Sequence, residues 1–305
     1  MTTAMDLFAG LGGFSLGARK AGVRVVWAAN HCPLATRMHA AQHPGAIHVC
    51  QDLRQADWTA APPVDLLLAA PECRGHTRAR GADRPHHDAS RATAWAVVDA
   101  AETVQPRALI VENVPDLRRW ALYPVWREAL ERLGYAVSEQ ELDAADHGVP
   151  QERRRLFVVA TQSRHPIRLR LPARDRSAIG PIIDWHGGRW SRVERPGRAQ
   201  RTIDRVRAGR RVHGDAFVMP YYSSGSGLGG RSPRRPLGTV TTIDRWAAVV
   251  GPYMRMLTVS EYRRAMGFPD NTPTPNSRRD AIRLLGNAVC PAVAADLIDS
   301  VVKAA

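Results

Sequence analysis

The stretch Asp6–Phe14, close to the N-terminus, has the residue types of a turn that holds a small molecule. It starts apolar and then becomes glycine-rich at Gly10, Gly12 and Gly13, and a helix-like run over Ser15–Ala21 follows. A strand, a tight glycine turn and a helix N-terminus form a binding cradle, because glycine lets the backbone approach a ligand or take positive φ. Many such turns are glycine-rich for packing alone, so the loop by itself leaves both roles open.

Four short polar motifs follow in order along the chain: Pro71-Glu72-Cys73, Glu112-Asn113-Val114, Gln151-Glu152-Arg153-Arg154-Arg155 and Gly286-Asn287-Ala288-Val289. Together with the glycine loop, these residues make the chain resemble the cytosine-C5 methyltransferases, which use S-adenosylmethionine. The resemblance runs from Asp6 to about Leu297 and lapses between about Thr161 and Arg231, where that family varies. Each motif is short, but five in this order and at sensible spacing form a specific pattern.

The resemblance implies covalent chemistry at Cys73. Carbon 5 of cytosine is too weakly nucleophilic to attack a methyl sulfonium, whereas a thiolate added at C6 converts the ring to an enamine that is nucleophilic at C5. Glu112 would offset charge at the ring N3, either protonated or sharing a proton, and Asn113 would orient its loop. Arg155 would contact the ring O2. Arg153 would position the nucleotide or keep the surroundings of Cys73 positive.

Taken one at a time, these motifs also have structural explanations. A lone cysteine is usually a small buried hydrophobe, although Cys73 follows a proline in an arginine-rich loop, which is a poor core site. Glu112-Asn113 alone is typical of a solvated turn, and Gln151–Arg155 alone of an exposed polar stretch. Their joint order favours the chemical interpretation.

The resemblance also assigns residues to the cofactor and to the nucleic acid. Asp52 matches the position that contacts the adenine of the cofactor, and the cysteine loop of this family grips the DNA backbone. The implied cofactor-binding residues are Phe8, Ala9, Gly10, Gly12, Gly13, Asn30, His31, Asp52, Leu53, Asn287 and Ala288. The implied nucleic-acid-binding residues are Arg74, Thr77, Arg78, Arg80 and Gln151.

Two positions depart from the pattern of that family. The family usually has proline directly before the nucleophile, where this chain has Glu72. A carboxylate there disfavours a thiolate at Cys73, unless it points away or pairs with an arginine. The family also usually has an acidic residue at the end of the second strand to hold the ribose hydroxyls. Here that position is Asn30, whose amide can hydrogen-bond without a charge.

Composition favours a nucleic-acid partner. The formal net charge is +14, and nearly all the positive charge is arginine, since Lys20 and Lys303 are the lysines. Such a charge suits a polyanion, although arginine richness also follows from a GC-rich genome. The four cysteines have no paired spacing, so we expect no metal site. With no apolar run of about 18 residues and no signal-peptide pattern, we expect a cytoplasmic, nucleoid-associated protein of a bacterium or phage, without membrane contact.

The first half alternates strands and helices, which predicts an α/β fold with a doubly wound, mostly parallel sheet, Rossmann-like as in the methyltransferases that the chain resembles. We predict a catalytic and cofactor-binding domain over 1–160, a small target-recognition domain over 161–275, and a C-terminal segment, 276–305, that returns to the catalytic domain. The predicted strands are Val23–Ala29, Val64–Ala69, Ala108–Val111 and Leu156–Ala160, and the predicted helices are Leu34–Ala41, Ala92–Val104, Tyr123–Leu133 and Leu257–Met266.

These observations predict a monomeric DNA (cytosine-5-)-methyltransferase that uses S-adenosylmethionine and flips its target cytosine out of double-stranded DNA. An arginine-rich segment from about Thr161 to Thr242 would read the site, and a restriction endonuclease counterpart would fit such an enzyme. Two alternatives stay open. One is a transfer-RNA cytosine-C5 methyltransferase, because charge does not discriminate DNA from RNA. The other is a non-catalytic DNA-binding protein on this scaffold, suggested by Glu72, although intact Cys73, Glu112 and Arg155 argue against it.

Overall fold

The computed structural model describes residues 1–72, 92–221 and 229–304. The chain forms two compact units. The first comprises Met1–Asp143, Arg154–Ala173 and Ala288–Ala305, and the second comprises Ala144–Arg153 and Arg174–Asn287. The chain therefore leaves the first unit twice and returns to it twice.

The edges of these units differ from the predicted boundaries at 160 and 275. Residues 144–153 lie with the second unit, because Glu152 N donates to Leu237 O at 2.7 Å and Leu237 N donates to Pro150 O at 2.9 Å. The first unit extends to Ala173, and Arg170 N donates to Ser300 Oγ at 2.7 Å. These edges depend on hydrogen bonds between residues far apart in the sequence, so no local sequence pattern predicts where the edges lie.

The described residues of the first unit form a seven-stranded sheet. Its strands in chain order are β1 (Thr3–Leu7), β2 (Arg24–Asn30), β3 (Ile47–Cys50), β4 (Leu66–Ala69), β5 (Ala108–Asn113), β6 (Ala136–Asp143) and β7 (Arg154–Thr161). In space the order is β3-β2-β1-β4-β5-β7-β6, with β7 antiparallel to β5 and β6 and the other neighbours parallel. The predicted doubly wound, mostly parallel sheet is confirmed.

Helices pack on this sheet and also build the second unit. In chain order they are α1 (Gly13–Lys20), α2 (Pro33–Gln42), α3 (Trp95–Val104), α4 (Tyr123–Arg132), α5 (Gln200–His213), α6 (Val259–Ala265), α7 (Arg278–Asn287) and α8 (Pro291–Ala304), of which α5, α6 and α7 belong to the second unit. Trp126 of α4 is fully buried in the core of the first unit and donates from Nε1 to Ala94 O at 2.8 Å. Strand β4 is apolar at every position because all four of its residues are buried, as is usual in parallel sheets.

The second unit has a smaller antiparallel sheet and a core of its own. Its strands are β8 (Ser191–Arg192), β9 (Ala216–Pro220), β10 (Trp246–Val250) and β11 (Tyr253–Met256), in the spatial order β8-β11-β10-β9. Phe217, Val249 and Met254 of this sheet pack with Val206 of α5. A Cβ on Gly209 would lie 2.3 Å from the Phe217 ring, so α5 reaches the sheet because glycine stands there.

Within the described residues, the segment Arg278–Ala304 has the length and apolar composition of a membrane-spanning helix. However, 78% of its most apolar window is buried inside the protein, and residues 288–290 divide it into α7 and α8. Core helices have the same properties, so the segment is a weak indication of a membrane span.

Candidate active site

The glycine loop joins β1 to α1 in a backbone conformation that few side chains tolerate. Gly10 and Gly12 have φ values of 55° and 80°, and Phe8 has a φ of 57° although it carries a side chain. A non-glycine residue in such a conformation costs about 1–3 kcal/mol, and such residues cluster at active sites, ligand-binding sites and switch regions. Hydrogen bonds from Ala9 N to Ala29 O (3.1 Å) and from Gly12 N to Ala9 O (2.8 Å) hold the loop in place. The loop therefore has the backbone of a ligand cradle.

A buried polar network supports the loop, and sequence reasoning missed it. Ser15 Oγ donates to Asp6 Oδ2 at 2.6 Å and lies 3.0 Å from His39 Nε2. The Nδ1 atom of His39 lies 2.8 Å from Nε2 of the half-buried His48. A signal was present, since Ser15 comes two residues after Gly13 and histidines recur at positions 39, 43 and 48. The five motifs include Asp6 but none of Ser15, His39 and His48.

His43 lies against Gly12, where an added Cβ would be 2.8 Å from His43 Nε2. Burial, and after it the charges of His39 and Arg19, lower the pKa of His43 to about 3, so its ring is neutral at pH 7. Nearby in the same network, Asp6 Oδ1 is buried and has no hydrogen-bond partner among the described residues. Buried acceptors are normally satisfied, so this oxygen suits a donor from a ligand or a water.

The C-terminal motif packs against the glycine loop within the first unit. A Cβ on Gly13 would lie 2.0 Å from the carbonyl oxygen of Val289, an approach that glycine alone allows. Ala288, next to Val289, is buried. Asn287 is an exposed residue at the end of α7 and belongs to the second unit. The first and last motifs of the chain therefore meet at Gly13 and Val289.

Two polar residues, Asn30 at the end of β2 and Asp52 after β3, already make hydrogen bonds within the chain. Asn30 Oδ1 accepts from Cys32 N at 2.9 Å. The carboxylate of Asp52 accepts from Arg54 Nε at 3.0 Å and from Arg54 Nη2 at 2.5 Å. The side-chain hydrogen bond from Arg54 is the main cause that lowers the pKa of Asp52. Leu53, between them in sequence, is buried.

His31 and Glu72 meet near the carboxyl end of β1. His31 follows β2 and Glu72 follows β4, and these two strands flank β1 in the sheet. Glu72 Oε1 lies 3.7 Å from His31 Nε2, an ion-pair distance rather than a hydrogen bond, with the side chains 33% and 55% exposed. The partner of Glu72 is thus a histidine, which the sequence had not suggested.

Glu112 and Arg155 form an ion pair at the ends of β5 and β7. Arg155 Nε lies 2.9 Å from Glu112 Oε1, and the side chains are 16% and 8% exposed, respectively. Glu112 is opposite Phe157 in the antiparallel register, so Arg155 is its diagonal neighbour on the same face of the sheet. Glu112 lies inside β5, whereas the sequence had suggested a position just after the strand.

Asn113 ties the end of β5 to the segment that leads to the predicted nucleophile. Its Nδ2 donates to Pro71 O at 3.2 Å, and its Oδ1 accepts from Val114 N at 2.9 Å. The bond to Pro71 fixes the chain two residues before position 73. Five predicted site residues lie outside the described residues: Cys73, Arg74, Thr77, Arg78 and Arg80.

Gln151 and Arg153 make buried hydrogen bonds within the second unit. Gln151 is fully buried, with Nε2 donating to Ala265 O at 3.1 Å and Oε1 accepting from Val240 N at 2.7 Å. Arg153, also buried, donates from Nη1 to Val240 O at 2.9 Å and from Nη2 to Gly286 O at 2.8 Å. Gln151 therefore exposes no polar atom to a nucleic acid, because its side-chain amide is buried and hydrogen-bonded to backbone groups.

Arginines of the second unit differ in what holds them. Some are held by carboxylates: Arg207 lies 2.7 Å from Glu194, and Arg231 lies 2.8 Å from Glu152. Others donate to backbone carbonyl oxygens, as Arg245 does to Tyr221 O at 3.0 Å. A further set is exposed, and its guanidinium groups have no hydrogen bond or ion pair with a described residue: Arg189, Arg192, Arg195, Arg201, Arg211 and Arg234. This last set, which we call the open arginines, is available to a polyanion.

Comparison with known proteins gives a consistent family. The profile of the family described as C-5 cytosine-specific DNA methylase matches residues 2–184 and 188–303. The chain is 28% identical over 299 residues to the Type II methyltransferase M.NlaX of Neisseria lactamica, a match that covers 95% of this chain and 93% of that protein.

Solved structures share the fold. A protein described as a candidate DNA modification methyltransferase, encoded within an E. coli prophage, superimposes with a TM-score of 0.74 at 19% identity, covering 100% of this chain and 99% of the other. The Dnmt2 methyltransferase of S. pombe superimposes with a TM-score of 0.68 at 17% identity, covering 99% and 98%. At these identities the likeness is one of fold.

Proposed function

The chain belongs to the family of C-5 cytosine-specific DNA methylases, and it is a methyltransferase that acts on carbon 5 of cytosine in DNA. On that premise we propose that S-adenosylmethionine is the methyl donor and that Cys73 bonds covalently to a cytosine flipped out of the duplex. The observation that carries this proposal is the Glu112–Arg155 pair at 2.9 Å, next to the Asn113–Pro71 bond that fixes the start of the cysteine loop.

Cys73 and Glu112 would act on different atoms of the pyrimidine. The Cys73 thiolate forms a bond to C6, the electron pair of the C5–C6 double bond makes C5 nucleophilic, and a proton shared with Glu112 offsets charge at N3. After C5 has taken the methyl group, its hydrogen leaves as a proton to water, and the electron pair of that C–H bond expels the thiolate. Arg155 holds the Glu112 carboxyl in one orientation throughout.

The glycine loop fits a nucleoside cofactor. Its positive-φ backbone allows close approach, its amides precede the N-terminus of α1, and Asp6 Oδ1 is a buried acceptor open to a donor. S-adenosylmethionine would supply an electrophilic methyl group carried on a positively charged sulfur. We assign to its binding the residues Phe8, Ala9, Gly10, Gly12, Gly13, Asn30, His31, Asp52, Leu53, Asn287 and Ala288.

We assign target reading to the second unit, and in particular to its open arginines. Arginine is the commonest reader of guanine edges and also binds phosphates, which accounts for the net charge of +14. Phosphate contacts are further proposed for Arg74, Thr77, Arg78 and Arg80 of the cysteine loop. In the cell we expect a cytoplasmic monomer on bacterial or phage DNA, with a restriction endonuclease of matching specificity as its counterpart.

Covalent trapping tests the function. A fluorine at C5 cannot leave as a proton, so the Cys73 adduct persists on 5-fluorocytosine. Purified protein, S-adenosylmethionine and random-sequence duplexes containing 5-fluorocytosine should give a denaturant-resistant complex, as Cys50→Ala should and Cys73→Ala should not. Trapping on RNA of the same base composition but not on DNA would assign an RNA substrate. DNA binding without any trapping would indicate a non-catalytic protein.

A further inference from the structure

Ribose recognition at this sheet lacks its usual carboxylate. In nucleotide-binding parallel sheets, an acidic residue at the end of the second strand accepts hydrogen bonds from the ribose hydroxyls. Here that position is Asn30, whose Oδ1 already accepts from Cys32 N at 2.9 Å. Asp52, at the end of the next strand, has its carboxylate bound by Arg54 at 3.0 and 2.5 Å. Asn30 carries no charge, and both carboxylate oxygens of Asp52 already accept hydrogen bonds from Arg54. Neither residue therefore has a free charged acceptor for the ribose hydroxyls.

Glu72 places a carboxylate at the same carboxyl end of the sheet, after β4, which lies on the other side of β1 from β2. Neighbouring strands are about 4.8 Å apart, so β2 and β4 are separated by about 10 Å across β1. Glu72 after β4 and His31 after β2 bridge this gap, with Oε1 of Glu72 3.7 Å from Nε2 of His31. The carboxylate therefore contacts the residue that follows Asn30, near the carboxyl end of the strand from which the glycine loop starts. Its side chain is 33% exposed, so it is accessible to a ligand.

We propose that Glu72 is a cofactor-binding residue: its carboxylate accepts the hydrogen bonds of the ribose hydroxyls of the nucleoside cofactor, replacing the acidic residue absent from position 30. This rests on the proposed function. The two departures of the sequence, an asparagine at the end of β2 and a glutamate before Cys73, are then one exchange of the same group between the two strands that flank β1. His31 positions the carboxylate through the contact between its Nε2 and Glu72 Oε1 at 3.7 Å.

Calorimetric titration with S-adenosylhomocysteine, which cannot be turned over, and with its 2′-deoxyribose analogue tests the assignment without relying on activity. A hydrogen bond to a charged acceptor makes wild type bind the deoxy analogue about tenfold or more weakly. Glu72→Ala should weaken the binding of S-adenosylhomocysteine by a similar factor and leave the affinity for the deoxy analogue almost unchanged. The variant thus loses its discrimination between the two ligands.

A rescue separates this contact from a general disturbance of the loop. Asn30→Asp keeps the oxygen that accepts from Cys32 N and adds a charged second oxygen. Introduced into the Glu72→Ala variant, it should therefore restore a preference of about tenfold for S-adenosylhomocysteine over the deoxy analogue. Glu102→Ala, on the exposed side of α3, is the matched control and should change neither affinity.

Equal affinity of wild type for the two ligands overturns the assignment, even if every Glu72 variant misfolds. So does a Glu72→Ala variant that weakens both ligands by the same factor. In either case S-adenosylhomocysteine still binds, and the proposed function stands. Wild type that does not bind S-adenosylhomocysteine at all overturns the choice of cofactor itself.

Discussion

The Nε atom of Arg155 lies 2.9 Å from Oε1 of Glu112, across the antiparallel strands β7 and β5. A carboxylate with 8% of its side chain exposed is costly to bury without a charged partner. Arginine remains charged at any working pH and presents a planar fork, so it fixes the orientation of the carboxyl. The function proposed for Glu112 therefore depends on Arg155.

Arg155→Ala should lower the rate of methyl transfer by about 10²–10⁴-fold, the contribution expected of a general acid–base group, and Glu112→Gln should have a similar effect. The double variant should lose little more than either single one, because the two residues act as a unit. Transfer of tritiated methyl groups to DNA measures the rate, and calorimetry should give unchanged cofactor affinity.

Arg154→Ala is the control for this pair. Arg154 precedes Arg155 in β7, but its side chain is 71% exposed and pairs with Glu141. Its removal should change transfer by less than about twofold, since surface pairs contribute little. Near wild-type transfer by Arg155→Ala would show that the pair is only structural.

Gln151 is expected to act on stability rather than on DNA binding. Gln151→Ala leaves Val240 N without its 2.7 Å acceptor and Ala265 O without its 3.1 Å donor. Orphaned buried groups cost about 1–3 kcal/mol, which urea unfolding would detect. Gln200→Ala, exposed at the start of α5, should leave the unfolding free energy unchanged. If Gln151→Ala instead leaves stability unaltered and reduces DNA affinity, Gln151 contacts the nucleic acid.

Strands and helices with strong local patterns were predictable from the sequence. Strand β4, over Leu66–Ala69, is a short apolar run that Pro71 follows, and α4 ends at Arg132, two residues before Gly134. Strand β6 was missed because it is polar: of the eight residues Ala136–Asp143, Val137 is the buried one. Helix α5 was missed because it is rich in arginine and its three buried residues, Thr202, Val206 and Gly209, include one large apolar side chain.

The site was predictable where residue type decides chemistry, and not where contacts decide it. Glu112 and Arg155 were singled out by their motifs, and β5 and β7 bring them together. Gln151 belongs to a motif of the same kind, yet only its long-range hydrogen bonds to Val240 and Ala265 show that its amide is buried. The contact between Glu72 and His31 depends on strand order, which a single sequence does not supply.

The second unit should depend on a buried ion pair between Arg255 and Glu261. The side chains are 2% and 1% exposed, and Glu261 accepts from Arg255 Nη1 at 2.8 Å and Nη2 at 2.6 Å. Glu261→Gln should destabilise the protein by about 3–5 kcal/mol at pH 7, because it leaves a buried guanidinium without its counter-charge. Glu194→Gln, which breaks an exposed pair with Arg207, should cost less than about 1 kcal/mol.

Glu261 should also give the protein an acid-dependent stability. Burial works against its charged form, but hydrogen bonds from Arg255 and from Thr258 N and Asp184 N outweigh it and hold the pKa of Glu261 below 4.5. The unfolded chain therefore binds this proton first as the pH falls. The stabilisation is complete above the unfolded value of 4.5 and disappears as the pH falls through the lowered folded value. Urea unfolding from pH 7 to pH 3 should show this loss in wild type, and Glu261→Gln should lack it.

The open arginines should carry DNA binding, whereas the paired arginines carry structure. Arg201→Ala and Arg211→Ala remove exposed guanidinium groups at the two ends of α5, so they should leave the unfolding free energy within about 0.5 kcal/mol. Arg231→Ala removes a group held by Glu152 at 2.8 Å and by Pro236 O at 2.8 Å, so it should reduce stability.

Salt dependence then distinguishes what each open arginine touches. Loss of a phosphate contact lowers the affinity for all sequences alike and flattens the slope of log K against log salt by about 0.9. Loss of a guanine contact costs about 1–3 kcal/mol at the recognised site alone. Fluorescence anisotropy with recognised and scrambled duplexes at several salt concentrations separates the two. Arg132→Ala, an exposed arginine of the first unit paired with Glu128, is the control. If substitution of the open arginines leaves affinity, salt slope and discrimination all unchanged, the second unit does not read DNA through them.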